Sequence, residues 1–300
     1  MPIISIEHLT KDYGHGRGVF DVNIQIEKGE CYGFLGPNGA GKTTTIRHLM
    51  GFSKPQEGNT SILEKDSWGN SAWLQNTVGY LPGEVALPAG LSGSAFLKMM
   101  GQMRGVKDND YLKMLLDRFE LDPNISIKQM SLGVRRKLAV VTAFMHDPDI
   151  LILDEPTSGL DPVMQETFID YVREEKQRGK TIFLSSHIFH EVDAVCDRIA
   201  IIRDGKIMSE FASAELKEKH DRIYRVTFSD AESYAAFVQQ PFNFTSKNEA
   251  KHRARVQIAA DRVGELIAGL KGYHLADFVE IPFTLEDYFM GFYDTGHHFV

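Results

Sequence analysis

The run GPNGAGKTTT, residues 36–45, follows the apolar stretch CYGFL, residues 31–35, with no residue between them. Gly36, Gly41, Lys42 and Thr43 fit the spacing GxxxxGK[ST]. Glycines at these positions let the backbone fold into a concave nest whose N–H groups point at phosphate oxygens. A helix expected from Lys42 to about Met50 adds its positive N-terminal end. Lys42 is placed to reach the β- and γ-phosphates of a nucleotide, and the Thr43 hydroxyl to ligate Mg²⁺. The candidate nucleotide-binding residues are therefore Asn38, Gly39, Ala40, Gly41, Lys42, Thr43 and Thr44. A chain built on this loop is an α/β protein, with the loop at the end of a buried strand.

The rest of the chain supplies that sheet. Residues 2–9 and 19–27 read as strands joined by a turn around Gly14, Gly16 and Gly18. Strand signals follow at 59–63 and 77–81. Residues 92–146 are rich in Leu, Met, Lys and Glu without strand alternation, with a break near Pro123. They form a mostly helical insertion, a subdomain of about 85–146. DILILDEP, 149–156, is a buried strand bounded by polar turns. A helix (162–178), the strand TIFLSS (181–186), a helix (187–196) and the strand RIAIIRDG (198–205) come next. Strands alternating with helices imply a parallel sheet covered on both faces. The charged run 215–222 reads as a helix end and linker, which sets domains at 1–220 and 221–300. The second is a small α/β domain with strands at 222–228 and 254–260 and helices over AESYAAFV, VGELIAGL and TLEDYFMGF.

LILDEP brings Asp154 and Glu155 to the C-terminal end of a strand, where α/β sheets bind ligands. Asp154 suits Mg²⁺, directly or through water, and Glu155 suits polarising the attacking water. His187 ends the next strand and joins them if the two strands are neighbours.

Composition removes other classes. With 43% apolar and 25% charged residues the chain can build a core. A formal net charge of −8 weighs against nucleic acid as the main partner. Cys31 and Cys196 have no metal-ligand spacing and read as small buried residues. There is no signal-peptide pattern and no apolar run near the roughly 20 residues that span a bilayer, so the expectation is a cytoplasmic protein. GHH at 296–298 lacks a third ligand and reads as a solvated end.

The order GPNGAGKTTT, MSLGVRRK, LILDEPTSGLD and SSH resembles the ATPase subunits of ATP-binding cassette (ABC) transporters, over about residues 2–220. The resemblance implies a P-loop NTPase cassette with a parallel core sheet, antiparallel N-terminal strands and a helical subdomain. It also implies ATP hydrolysis with Mg²⁺. It matches Tyr13 in KDYG to an aromatic that stacks on adenine. Ser131 and Gly133 match the signature motif, which acts in trans on a partner's γ-phosphate, and Asp161 matches the loop linking two sites. The implied machine is a head-to-tail homodimer or heterodimer around two ATP. It is peripheral on the cytoplasmic membrane face and drives a separate integral membrane permease, in the export direction. The alternative is a soluble ABC-type ATPase acting on ribosomes or DNA. The short span from Lys42 to Ser131, without a heptad run, speaks against it.

Two departures stand out. Leu132 and Val134 interrupt the usual signature LSGGQ, and Gly83 followed by Glu84 replaces the glutamine usual after GYLP. A positive φ at Gly83 would let the loop turn differently and bring Glu84 into the vacated place. Glu84 is then a candidate sensor working through Mg²⁺ or a bridging water; the alternative is a solvated loop acid.

Overall fold

Ile4, Ile6 and Leu9 on β1 (Ile4–Asp12) lie opposite Ile26, Ile24 and Val22 on β2 (Gly18–Ile26), an antiparallel pair. A register shift between Ile6 and Leu9 keeps Leu9 turned inward. The computed structural model describes residues 2–106, 109–218, 221–281 and 284–294. The next elements are β3 (Cys31–Leu35), α1 (Lys42–Leu49), β4 (Glu57–Ile62), β5 (Lys65–Asp66), α2 (Ser71–Thr77) and β6 (Val78–Leu81). The helical insertion holds α3 (Gly93–Arg104), α4 (Asn109–Arg118) and α5 (Leu132–Phe144). Then come β7 (Ile150–Asp154), α6 (Pro162–Gln177), β8 (Thr181–Ser186), α7 (Phe189–Val195), β9 (Arg198–Arg203), β10 (Lys206–Ala212) and α8 (Ser213–Glu218).

Two compact units result, residues 1–213 and 214–300, so the division lies ahead of the boundary read at residue 220. In the first, an antiparallel sheet runs β2-β1-β4-β5 and a six-stranded sheet runs β10-β9-β3-β8-β7-β6. The latter is parallel except for β10, an antiparallel edge strand absent from the sequence reading. All five residues of β3 and of β7 are buried, as central parallel strands require. Ile46 and Leu49 of α1 share one buried cluster with Ile4 and Ile24 of the first sheet and Phe34, Ile152 and Ile202 of the second. Each such side chain contributes roughly 1.5–3 kcal/mol by burial. That cluster fixes α1, and with it the phosphate loop, against the ends of β3 and β7. Cys31 and Cys196 are buried free thiols, with their sulfurs 3.8 Å apart.

Helix starts follow local chemistry. Ser92, Ser131 and Asp161 cap α3, α5 and α6 by accepting the backbone N–H three residues on. Pro162 occupies the first turn of α6, where its missing N–H costs nothing.

The second unit continues with β11 (Arg222–Phe228), α9 (Ala231–Phe237), β12 (Asn243–Asn248), β13 (Arg253–Ile258), α10 (Val263–Gly269), β14 (Leu275–Ile281) and α11 (Leu285–Asp294). The four strands form an antiparallel sheet in the order β12-β13-β11-β14, a split β-α-β-β-α-β arrangement. Tyr224, Val226 and Phe228 alternate inward on β11 and bury against Phe237 of α9 and Leu266 of α10. The histidines of GHH, and Pro282 and Phe283, lie outside the described residues.

Candidate nucleotide-binding and hydrolysis site

The loop between β3 and α1 turns on Gly41, at φ 112°, a conformation closed to side chains with a Cβ. Nothing caps α1 by side chain and its first turn holds no acid, so its leading N–H groups face the loop. Ala40 is buried, with its carbonyl bonded to the Gly205 N–H, and Gly39 at φ 83° has open space beside it. Thr44 sits in the first turn, where its carbonyl pairs with the His48 ring.

Lys42 is only 5% exposed. Its ammonium donates to the carbonyls of Gly36 (2.5 Å) and Pro37 (3.1 Å), and it lies 3.0 Å from Glu155 Oε1. A buried ammonium must be paired in this way. The β7–β8 register sets Asp154 opposite Ser185, which carries Glu155 alongside the residues that follow β8. The chain leaves β8 at Ser186 and α7 begins only at Phe189, so His187 stands in the connection and not in the expected helix 187–196. There a carboxylate oxygen of Glu155 accepts from His187 Nδ1 at 2.5 Å. Glu155 therefore touches Lys42 with one oxygen and His187 with the other.

Asp154 is fully buried, and its two oxygens accept from the hydroxyls of Thr43 (2.8 Å) and Ser185 (2.5 Å). A hydroxyl beside a carboxylate is the all-oxygen donor set that suits a hard divalent cation; Thr43 lines the cleft and the buried Asp154 lies directly behind it. Thr43 and Asp154 thus fit Mg²⁺.

A cleft of about 620 Å³ is lined by Asn38, Thr43, Arg47, Pro82, Gly83, Glu84, Glu155, Ser158 and His187, among others. Glu84 faces it as an exposed side chain. Gly83 corrects the sequence reading, because it is not among the positive-φ residues. Its role is close approach: a Cβ there would lie 3.0 Å from Asp154 Oδ2 and 3.3 Å from Asp154 Cγ. The loop need not turn on Gly83 to present Glu84 to the cleft.

Other candidates fall elsewhere. Tyr13 is 55% exposed at the β1–β2 turn, with the Lys11 ammonium 5.7 Å from its ring, and does not line the cleft. Ser131 and Gly133 start α5 and also do not line it, and a Cβ at Gly133 would come 3.1 Å from the Gly159 carbonyl. Asp161 caps α6 through Met164 N–H at 3.0 Å.

Three residues escaped the sequence reading. Ser185 is a polar residue at the inner end of an apolar strand. Glu191, 3% exposed, accepts from the hydroxyls of Thr157 and Ser186 (2.7 Å to Ser186) and so joins the segments after Glu155 and before His187. Burial raises its carboxyl to about 7, the Ser186 bond pulls it back, and the Glu155 charge raises it again. Arg136 is 1% exposed on α5. Its Nη1 donates to Pro82 O at 2.6 Å, and its Nη2 to Glu155 O and, at 3.4 Å, to Asp154 O. The available signal was position, since Arg136 recurs with Ala139, Val140 and Ala143 on the buried face of the helix.

Comparison with known proteins is consistent with this chemistry. The family profile described as ABC transporter matches residues 19–158. The bacitracin transport ATP-binding protein BcrA of Bacillus licheniformis is 33% identical over 244 residues, 80% of each chain. The Nod factor export ATP-binding protein I of Ralstonia nicotianae is 33% identical over 72% of this chain and 68% of its own. A solved ATP-binding subunit of an ABC transporter superposes with a TM-score of 0.66 at 27% identity, covering 72% of this chain and 92% of that one. A dimeric ATP-binding cassette in a post-hydrolysis state with ADP and Pi shares the fold, with a TM-score of 0.62 at 23% identity over 70% of this chain and 98% of that one. Among the described residues no helix is long and apolar enough to cross a membrane. The chain belongs to the ABC transporter family, as one of its ATP-binding, ATP-hydrolysing subunits.

Proposed function

We propose that two copies of this chain, or one copy and a homologue, close head to tail around two ATP. Closure and reopening would drive a separate integral membrane permease, in the export direction, from its cytoplasmic face. The observation that carries this reading is the separation of two half-sites. Lys42, Thr43, Glu155 and His187 meet at one cleft, while Ser131 and Gly133 lie off it at the start of α5. A second chain supplies the missing signature, with Asp161 on the loop that links the two sites. Relatives named for bacitracin transport and Nod factor export support the transport role and its direction.

In hydrolysis the water oxygen attacks the γ-phosphorus while the bond from that phosphorus to the β–γ bridging oxygen breaks. ADP leaves with the electron pair, and Glu155 accepts the water's proton. A β- or γ-phosphate competes with Glu155 for the Lys42 ammonium, so nucleotide binding frees Glu155 Oε1 for the water. His187 holds the other oxygen through Nδ1–H, which keeps the carboxylate aimed. Thr43 and Asp154 would hold Mg²⁺, whose charge neutralises the phosphate oxygens, and Ser185 orients Asp154. Tyr13 offers an exposed ring for adenine. Glu84 acts as a sensor through Mg²⁺ or a bridging water.

Glu155→Gln is expected to keep ATP binding and to lose hydrolysis by a factor on the order of 10² to 10⁴. It is also expected to accumulate an ATP-bound dimer, read by size-exclusion chromatography with ATP and Mg²⁺. Retained hydrolysis would remove Glu155 as the base. A variant that binds ATP yet stays monomeric, alone and with its permease, would remove the sandwich.

A further inference from the structure

A cation as buried as Arg136 stays in a core only when it is hydrogen-bonded, and although its Nε has no partner, its two terminal nitrogens do. Here they reach three backbone carbonyls on two segments of the cleft, those of Pro82 on the loop after β6 and of Asp154 and Glu155 at the end of β7. Burial lowers the guanidinium pKa, and the nearby charges of Asp154, Glu155 and Glu191 oppose that shift.

The Glu155 backbone needs holding. Its φ of 48° is left-handed for a residue with a side chain, and Pro156 follows it. Such a conformation persists only where its surroundings impose it. The Glu155 N–H is fixed by Ser185 O at 3.0 Å and its C=O by Arg136. These two bonds set where Cβ points, and so where the carboxylate meets Lys42 and His187. The same guanidinium holds the Pro82 peptide, next to the glycine that sits against Asp154.

Arg136 also lies a little over one turn beyond Ser131 on α5, whose first turn carries the signature. A helix moves as a rigid rod over that distance. Displacing its N-terminus therefore displaces the guanidinium, and with it the Glu155 and Pro82 peptides.

We infer that Arg136 is a positioning residue. It aims the Glu155 carboxylate, and it carries the docking state of the signature helix into the cleft of its own chain. The inference rests on Glu155 being the base. The planar fork is essential, because a single ammonium cannot reach the Pro82 and Glu155 carbonyls together in the same geometry.

The test uses the full chain with Arg136→Lys and Arg136→Gln, each also in the Glu155→Gln background. Single-turnover hydrolysis of γ-labelled ATP is normalised to measured ATP-binding sites, so loss of folded protein does not enter. With Glu155 present, Arg136→Lys is expected to slow hydrolysis about 10- to 100-fold per site, the scale of a small misplacement of a reacting group. The ATP dissociation constant should stay within about threefold. With Glu155→Gln, the same substitution should cost little more, because two residues acting through one carboxylate are not additive. Arg136→Gln should behave alike with a larger loss. Full per-site turnover in either Arg136 variant would overturn the inference, as would an equal loss in both backgrounds. Retained hydrolysis in Glu155→Gln alone would instead overturn the base assignment, so the two failures are distinguishable.

Discussion

At the scale of single residues, the cleft is arranged around carboxyl groups with different surroundings. Asp154 and Glu155 are surrounded by hydroxyl and cationic donors. Glu191, one layer deeper, has burial as its largest influence, and its carboxyl rises to about 7 from an ordinary 4.5. A folded acid with a raised pKa holds its proton more tightly than the unfolded chain does. Its contribution is complete below pH 4.5 and is lost as pH rises through about 7. His146 has the opposite sign: burial and the Arg104 charge push its imidazole down to about 4, so stability is lost as pH falls from 6.5 toward 4. The stability curve of the parent mixes the two, but the difference between parent and Glu191→Gln isolates the first. The parent's advantage over that variant should shrink between about pH 5 and pH 8, at a slope of up to roughly 1.4 kcal/mol per pH unit. Urea midpoints at the two pH values measure it. A difference that stays flat with pH would mean that Glu191 is buried as an anion.

Among the elements, the loop joining β6 to α3 meets the site at three successive residues. It is bonded to Arg136 at Pro82, pressed on Asp154 at Gly83 and open to the cleft at Glu84. A Cβ at Gly83 requires Asp154 or the loop to give by a few tenths of an ångström, yet Asp154 is already fixed by Thr43 and Ser185. Gly83→Gln should therefore raise the Mg²⁺ concentration needed for half-maximal ATPase activity several-fold, and Gly83→Ala should do the same. Glu84→Ala touches neither Asp154 nor its partners, and under the proposed sensor role it should lower permease-stimulated hydrolysis. If stimulation and Mg²⁺ dependence both survive Glu84→Ala, the residue is a solvated loop acid. The sequence made the phosphate loop, β3, β7 and β8 plain because short apolar runs beside glycine or acidic turns allow few alternatives. It hid β12, whose NFTSKN turns a single apolar residue, Phe244, toward the core, and β10, an edge strand with no fully buried residue. Arg136 was hidden for another reason. Its partners are backbone carbonyls, which carry no sequence signal, and two of them lie 18 and 19 residues away along the chain.

On the scale of the whole molecule, each unit has a buried cluster of its own. One joins α1 to the two sheets of residues 1–213, and the other fills the sheet and helices of the second unit. Phe237 is the hub of the latter. It is fully buried, with ring centroids of Phe228 at 5.1 Å, Phe242 and Phe244 at 5.6 Å and Tyr273 at 6.0 Å. Truncating it to alanine removes a ring that four aromatic neighbours cannot close over, at a cost of about 3–5 kcal/mol. None of the phosphate-loop, β7 or β8 residues belongs to that cluster, so the Lys42–Glu155–His187 arrangement keeps all its own contacts. Phe237→Ala should consequently raise hydrogen exchange throughout β11 and β13 while exchange in β3, β7 and β8 stays as in the parent. The ATP dissociation constant should hold within about twofold. A variant whose ATP binding weakens in step with the exchange of β11 would show that the two clusters melt as one cooperative body, and that the second unit is part of what holds the nucleotide site in shape.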